Sequence, residues 1–140
     1  MASPSGYIVF FLLVSDEKIR DYLFDLLRRN RYQPEMAASL EDLLGALKGR
    51  DDAIVLLDTQ SAAIYGVSVF SKIQAAVPGK RVILLCDQAH RHLIKEAMQH
   101  GSYGCILEPY AEWELLTIVR HILADTRPRK RMSGKSRKKS

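Results

Sequence analysis

The chain has 140 residues, of which 47% are hydrophobic and 26% charged, a length and balance that fit one folded domain of about 100–150 residues and exclude a mainly disordered chain. Its net charge of +5 is unevenly placed: residues 127–140 hold eight Lys/Arg and no acid, leaving 13 basic against 16 acidic side chains elsewhere, a net of −3. An acidic body with a basic tail is not a basic nucleic-acid-binding domain. After a short extension at 1–6, the first apolar run is Tyr7–Val14. Eight residues cannot span a bilayer, which takes about 20, and Met1–Gly6 lacks the basic flank of a signal peptide. No membrane contact and a cytoplasmic setting are expected.

The run Tyr7–Val14 reads as a strand. Ile19, Tyr22, Leu23, Leu26 and Leu27 then form one helical stripe. A weaker strand is expected near Gln33–Ala38, around Pro34. Ser39 with Asp42 three residues on opens a second helix, carrying Leu40, Leu43, Leu44 and Leu47. Ala53–Leu57 is a third strand, followed by a helix over Val67–Ala76 that stops before Pro78-Gly79. Arg81–Cys86 is a fourth strand, and a helix over Arg91–His100 ends at Gly101. Gly104–Leu107 is the fifth strand, and Ala111–Ala124 is the last helix. Short apolar runs alternating with amphipathic helices predict an α/β, doubly wound, five-stranded parallel sheet over 7–125. The tail at 126–140 has no apolar periodicity and reads as a disordered linker or arm. Cys86 and Cys105 are too few for a disulfide framework, and neither lies at metal-site spacing.

In such a sheet the functional crevice lies beyond the carboxyl ends of the strands. There the sequence places Ser15-Asp16-Glu17, Asp58, Asp87 and Glu108-Pro109-Tyr110. Oxygen donors of this kind suit a hard cation such as Mg2+. Helix capping accounts equally for Asp16, Glu17 and Asp87, because acids favour helix N-termini. For Asp58 capping is the weaker account, since no helix is expected to start at once.

This pattern resembles a response-regulator receiver domain of bacterial two-component signalling, and the resemblance covers 7–125. Its motifs are Ser15-Asp16 in "LLVSDE", Asp58 in "IVLLDTQSAAIYG", Gly66 eight residues on, Cys86 in "VILLC" and Glu108-Pro109 in "GSYGCILEPY". The resemblance implies a flavodoxin-like fold with strand order 2-1-3-4-5 and no small-molecule turnover of its own. It implies Asp58 as phosphoacceptor, and Mg2+ held by Asp16, Asp58 and the backbone carbonyl of Gln60. It also implies a sensor histidine kinase or phosphotransfer protein as donor, an output domain or partner protein downstream, and homodimers as an assembly.

Departures from the family are as informative. Ser15 replaces one of two acids, Glu108 stands at the lysine position, Cys86 at the Thr/Ser position and Cys105 at the aromatic switch position. Ser15, Glu17 and Glu108 then make an acidic pocket in which a cation is exchanged for an anion. The expected reading is an atypical receiver with weak or no phosphorylation, acting as an interaction module. A nucleic-acid-associated regulator using the basic tail is the alternative.

Overall fold

A computed structural model describes residues 8–50, 52–77 and 81–125. The elements run β1 (Val9–Leu13), α1 (Glu17–Arg29), β2 (Gln33–Met36), α2 (Leu40–Leu47), β3 (Ile54–Asp58), α3 (Thr59–Tyr65), α4 (Ser68–Ala76), β4 (Val82–Cys86), a 3-10 segment (Gln88–Leu93), α5 (Ile94–Gln99), β5 (Gly104–Leu107) and α6 (Glu112–Asp125). The strands form one parallel sheet in the order β2-β1-β3-β4-β5, as the resemblance implied.

Two-residue alternation along each strand sends side chains to opposite faces. Phe10, Leu12, Ile54, Leu56, Ile83 and Leu85 pack against α1 and α6 through Leu23, Leu26, Leu115, Val119 and Ile122. Phe11, Leu13, Val55, Leu57, Val82 and Leu84 pack against Leu43, Leu47, Phe70, Ile73 and Ala97 of the helices on the other face. Burial on both faces is why β1, β3 and β4 read as unbroken apolar runs. β2 lies at an edge with only Pro34 buried. The Gln33 N–H donates inward to the Ile8 carbonyl at 3.1 Å, so the backbone nitrogen of Pro34 points to the open edge, where a missing N–H costs no ladder bond.

Local chemistry sets the helix starts. Asp16 Oδ1 accepts from the Ile19 N–H at 3.0 Å, and Arg28 and Arg29 fill the last turn of α1, complementing its dipole. Ser39 Oγ accepts from the Asp42 N–H while Asp42 Oδ2 accepts from the Ala38 N–H, a reciprocal cap.

Three expectations need correction. A helix does start directly after Asp58: α3 occupies 59–65, and Gly66, at φ 90°, separates it from α4. The fourth helix is not one piece from 91 to 100. Asp87 caps a 3-10 segment from Gln88, His90 breaks the helical path at φ −119°, and α5 follows. β2 also ends at Met36, short of Ala38. Expectations for residues 1–7, Pro78-Gly79 and the tail at 126–140 fall outside the described residues. Among the described residues no helix is long and apolar enough to cross a membrane.

Candidate functional site

The carboxyl ends of β1, β3, β4 and β5 surround a cleft of about 180 Å³. Asp16, Asp58, Asp87 and Glu108 all line it, together with Thr59, Gln60 and Tyr110, and among the described residues its lining holds no Lys, Arg or His. Four of the sequence-predicted acids therefore meet. Ser15 and Glu17 are outside the lining, and Glu17 instead sits exposed in the first turn of α1.

Asp58 closes β3 and is 6% exposed. Its Oδ2 accepts from the Ser15 N–H and its Oδ1 from the Ser61 N–H, each at 3.0 Å. The second bond makes Asp58 the N-cap of α3, so capping, the weaker account from sequence, holds for this residue. The hydroxyls of the same two residues, Ser15 and Ser61, lie 2.9 Å apart.

Asp87 is more heavily engaged. Its Oδ1 accepts from Thr59 Oγ1 at 3.2 Å and from the His90 N–H at 3.0 Å, and lies 2.8 Å from His90 Nδ1. The Asp87 N–H in turn donates to Thr59 Oγ1. Burial alone would raise the Asp87 carboxyl, but the His90 ring and the Thr59 hydroxyl outweigh it and hold the group below its ordinary range.

Glu108 follows β5, and its Oε1 accepts from the Gln88 N–H at 3.2 Å. At the position where the resemblance expects a lysine, this chain has an anion that ties β5 to the start of the 3-10 segment. Tyr110 is buried beside it, and its carbonyl accepts from the Tyr22 hydroxyl at 2.9 Å. Burial raises the Tyr110 phenol above its usual value, and the charges of Glu108, Asp87 and Asp58 raise it further, so the field in the cleft is negative.

Cys86 and Cys105, which the resemblance sets at switch positions, are thiols held in the protonated form. Burial pushes the Cys86 thiol up, with Cys105 and Asp87 adding to it, and its Sγ donates to the Asp87 carbonyl at 3.3 Å. Cys105 is half-buried against the α2–α5 core and is also raised, by burial and by Glu114. Neither is a poised thiolate.

Two carboxylates and a carbonyl suit Mg2+, which keeps several waters and needs only one or two protein carboxylates. Asp16, Asp58 and Gln60 line the same cleft, and each carboxylate oxygen that accepts one amide N–H retains a lone pair. Among the described residues no group of three or more His, Cys, Asp or Glu is placed to hold a metal, so an ion here would rely on water for most of its ligands.

Thr59, Ser61 and His90 were not singled out from sequence. A signal for two of them exists: Asp58-x-x-Ser61 and Asp87-x-x-His90 repeat the spacing by which Asp16 caps α1 at Ile19. Thr59 meets Asp87 only through the pairing of β3 with β4.

Comparison with known proteins agrees with this architecture. The family described as the response regulator receiver domain matches residues 11–120. The C4-dicarboxylate transport transcriptional regulatory protein DctD of Rhizobium meliloti (strain 1021) is 27% identical over 119 residues, which are 85% of this chain and 25% of DctD. The chain thus spans about a quarter of that relative. Among solved structures, the receiver domain of the TMAO respiratory system response regulator TorR superposes with a TM-score of 0.74 at 15% identity, covering 85% of this chain and 98% of that one. Full-length FixJ from B. japonicum gives a TM-score of 0.70 at 20% identity, covering 88% of this chain and 60% of that one. An acid at the end of β3, a five-stranded 2-1-3-4-5 sheet and a family match across most of its length place this chain in the response-regulator receiver family of two-component signalling.

Proposed function

We propose that this chain is an atypical receiver that acts chiefly as a protein-interaction module, with Asp58 as a weakly used phosphoacceptor. The observation that carries this reading is the cleft: Asp58 is surrounded by Asp16, Asp87 and Glu108, with no cation in the described lining. Two unit charges at 4 Å repel by about 4 kcal/mol at an effective dielectric near 20. Adding a dianionic phosphoryl group to such a site is opposed, and no lysine offsets it.

Phosphotransfer would come from the phosphohistidine of a sensor histidine kinase or phosphotransfer protein. An Asp58 oxygen attacks phosphorus, the phosphorus–nitrogen bond breaks, and the imidazole leaves. Asp16, Asp58 and the Gln60 carbonyl are the residues that would hold Mg2+, whose charge neutralises phosphoryl oxygens. Glu108 and Asp87 belong to the resting arrangement: one holds the Gln88 amide and the other binds Thr59 and His90, fixing the β4 loop without phosphorylation. An output domain or partner protein reads that surface, and residues 126–140 form the link or arm beyond the receiver.

The test is exposure of the full chain to acetyl phosphate with Mg2+, followed by intact mass measurement. Low occupancy in wild type, none in Asp58→Asn and at least a ten-fold rise in Glu108→Lys are expected. Robust, Asp58-dependent labelling of the wild type overturns the atypical reading.

A further inference from the structure

A second cleft, of about 300 Å³, is lined by Ser15 and Ser61, the two residues whose backbone amides hold Asp58. Its electrostatics are opposite to those of the acidic cleft. Among the described residues its lining has one charged side chain, Arg20 of α1, and no acid. Ser15 and Ser61 contribute hydroxyls, while Leu13, Val14 and Ala37 provide an apolar floor. The rim is apolar too, since Ile64 is 70% exposed there. Arg20 Nε is buried and has no hydrogen-bond partner among the described residues, so one guanidinium donor is out of water and unused.

We propose that this second cleft is a binding site for a small monocarboxylic acid with an apolar body. A guanidinium pairs with a carboxylate through two parallel N–H···O bonds, which one arginine can supply and which matches a single negative charge. The two serine hydroxyls can rotate from each other to donate to the same carboxylate. The aliphatic floor takes the remainder of the ligand, as in other small-molecule sites where a few polar groups orient an apolar body. A dianionic phosphate fits less well, because one cation leaves half its charge uncompensated.

The site is coupled to Asp58 by construction. The backbone N–H groups of Ser15 and Ser61 hold the two Asp58 oxygens, and the same two residues, joined through their hydroxyls, line the second cleft. A ligand that draws on these hydroxyls acts on both anchors of the β3-end carboxylate. Binding itself does not depend on Asp58 being phosphorylated, so it is measured separately.

The experiment is a titration of the 15N-labelled full chain with benzoate at 150 mM salt, followed by amide chemical shifts, with benzamide and inorganic phosphate as parallel arms. Saturable benzoate shifts centred on Ser15, Arg20, Ala38 and Ser61 are expected. Benzamide and phosphate should each bind at least ten-fold more weakly. Arg20→Gln should weaken benzoate at least ten-fold, Ser61→Ala should weaken it less, and Arg28→Gln, further along α1, should leave it unchanged. Equal benzoate affinity in Arg20→Gln and wild type overturns the proposal, as do shifts confined to the basic tail. Phosphate binding as tightly as benzoate at these amides overturns the carboxylate assignment.

Discussion

Asp58 is a structural fastener as well as a candidate acceptor, and its removal has a calculable cost. Asp58→Ala deletes the N-cap of α3, a change worth about 1 kcal/mol and at most about 2. It also strips the Ser15 N–H of its acceptor, and a buried donor left unsatisfied costs about 1–3 kcal/mol. Ser15 is exposed, so water recovers part of that second loss. Relief of repulsion from Asp16, Asp87 and Glu108 works in the other direction. The net expectation is a loss of about 2 kcal/mol. Asp58→Asn keeps one carbonyl oxygen for one of the two amides and removes the charge, so its loss should stay below about 1 kcal/mol. Urea unfolding followed by circular dichroism reads both, with an unchanged slope as the sign that stability alone has moved. An Asp58→Ala protein within 0.5 kcal/mol of wild type, or one more stable than Asp58→Asn, would refute the assignment of Asp58 as a cap. The practical consequence is that a phenotype of Asp58→Ala mixes lost stability with whatever the carboxylate does chemically, whereas Asp58→Asn separates them.

Other expectations follow from single contacts. Gly66→Ala should cost about 1–3 kcal/mol in urea unfolding although nothing lies within 4 Å of an added Cβ, because φ 90° with ψ 162° is a region open essentially to glycine alone. Gly104→Ala brings a Cβ to 2.7 Å from Ile118 Cδ1, the movable end of a side chain, and should therefore cost less than Gly66→Ala by the same measurement. Because the folded Asp87 carboxyl lies below its ordinary 3.8, its contribution to stability is complete above that pH and is lost as pH falls through the folded value. Asp87→Asn should flatten this acid limb of the thermal stability profile, and an unchanged profile would contradict the bond from His90 and Thr59. Leu56→Ala, at a fully buried β3 position, should lose about 2–5 kcal/mol, and a loss under 1 kcal/mol would mean that the α1–α6 face is not the packed core described.

What the sequence disclosed depended on how local the determining physics is. β1, β3 and β4 are buried on both faces, so each announced itself as an apolar run, and the Ile19–Leu27 stripe announced α1 in the same way. β2 was faint because an edge strand buries one residue in four and carries Pro34. α3 escaped notice since seven residues, Thr-Gln-Ser-Ala-Ala-Ile-Tyr, are too few to establish a stripe, and its isoleucine points outward. The carboxylate cleft was legible as a set of strand ends, because a parallel sheet brings those ends together whatever the loops do. The Ser15–Ser61 contact and the Thr59–Asp87 bond were not, for they arise between residues 46 and 28 positions apart, where only strand order and register set the distance.

The edge-directed backbone nitrogen of Pro34 makes the two borders of the sheet chemically unequal. At the β2 border the proline removes a donor that an added strand would need, and exposed Glu35 puts a charge beside it. The β5 border, Gly104–Leu107, has neither proline nor charge. A further strand at the β2 margin would therefore meet a ladder interrupted at Pro34. Of the two margins, the β2 side is the less receptive to an added strand, by one missing donor and one charge.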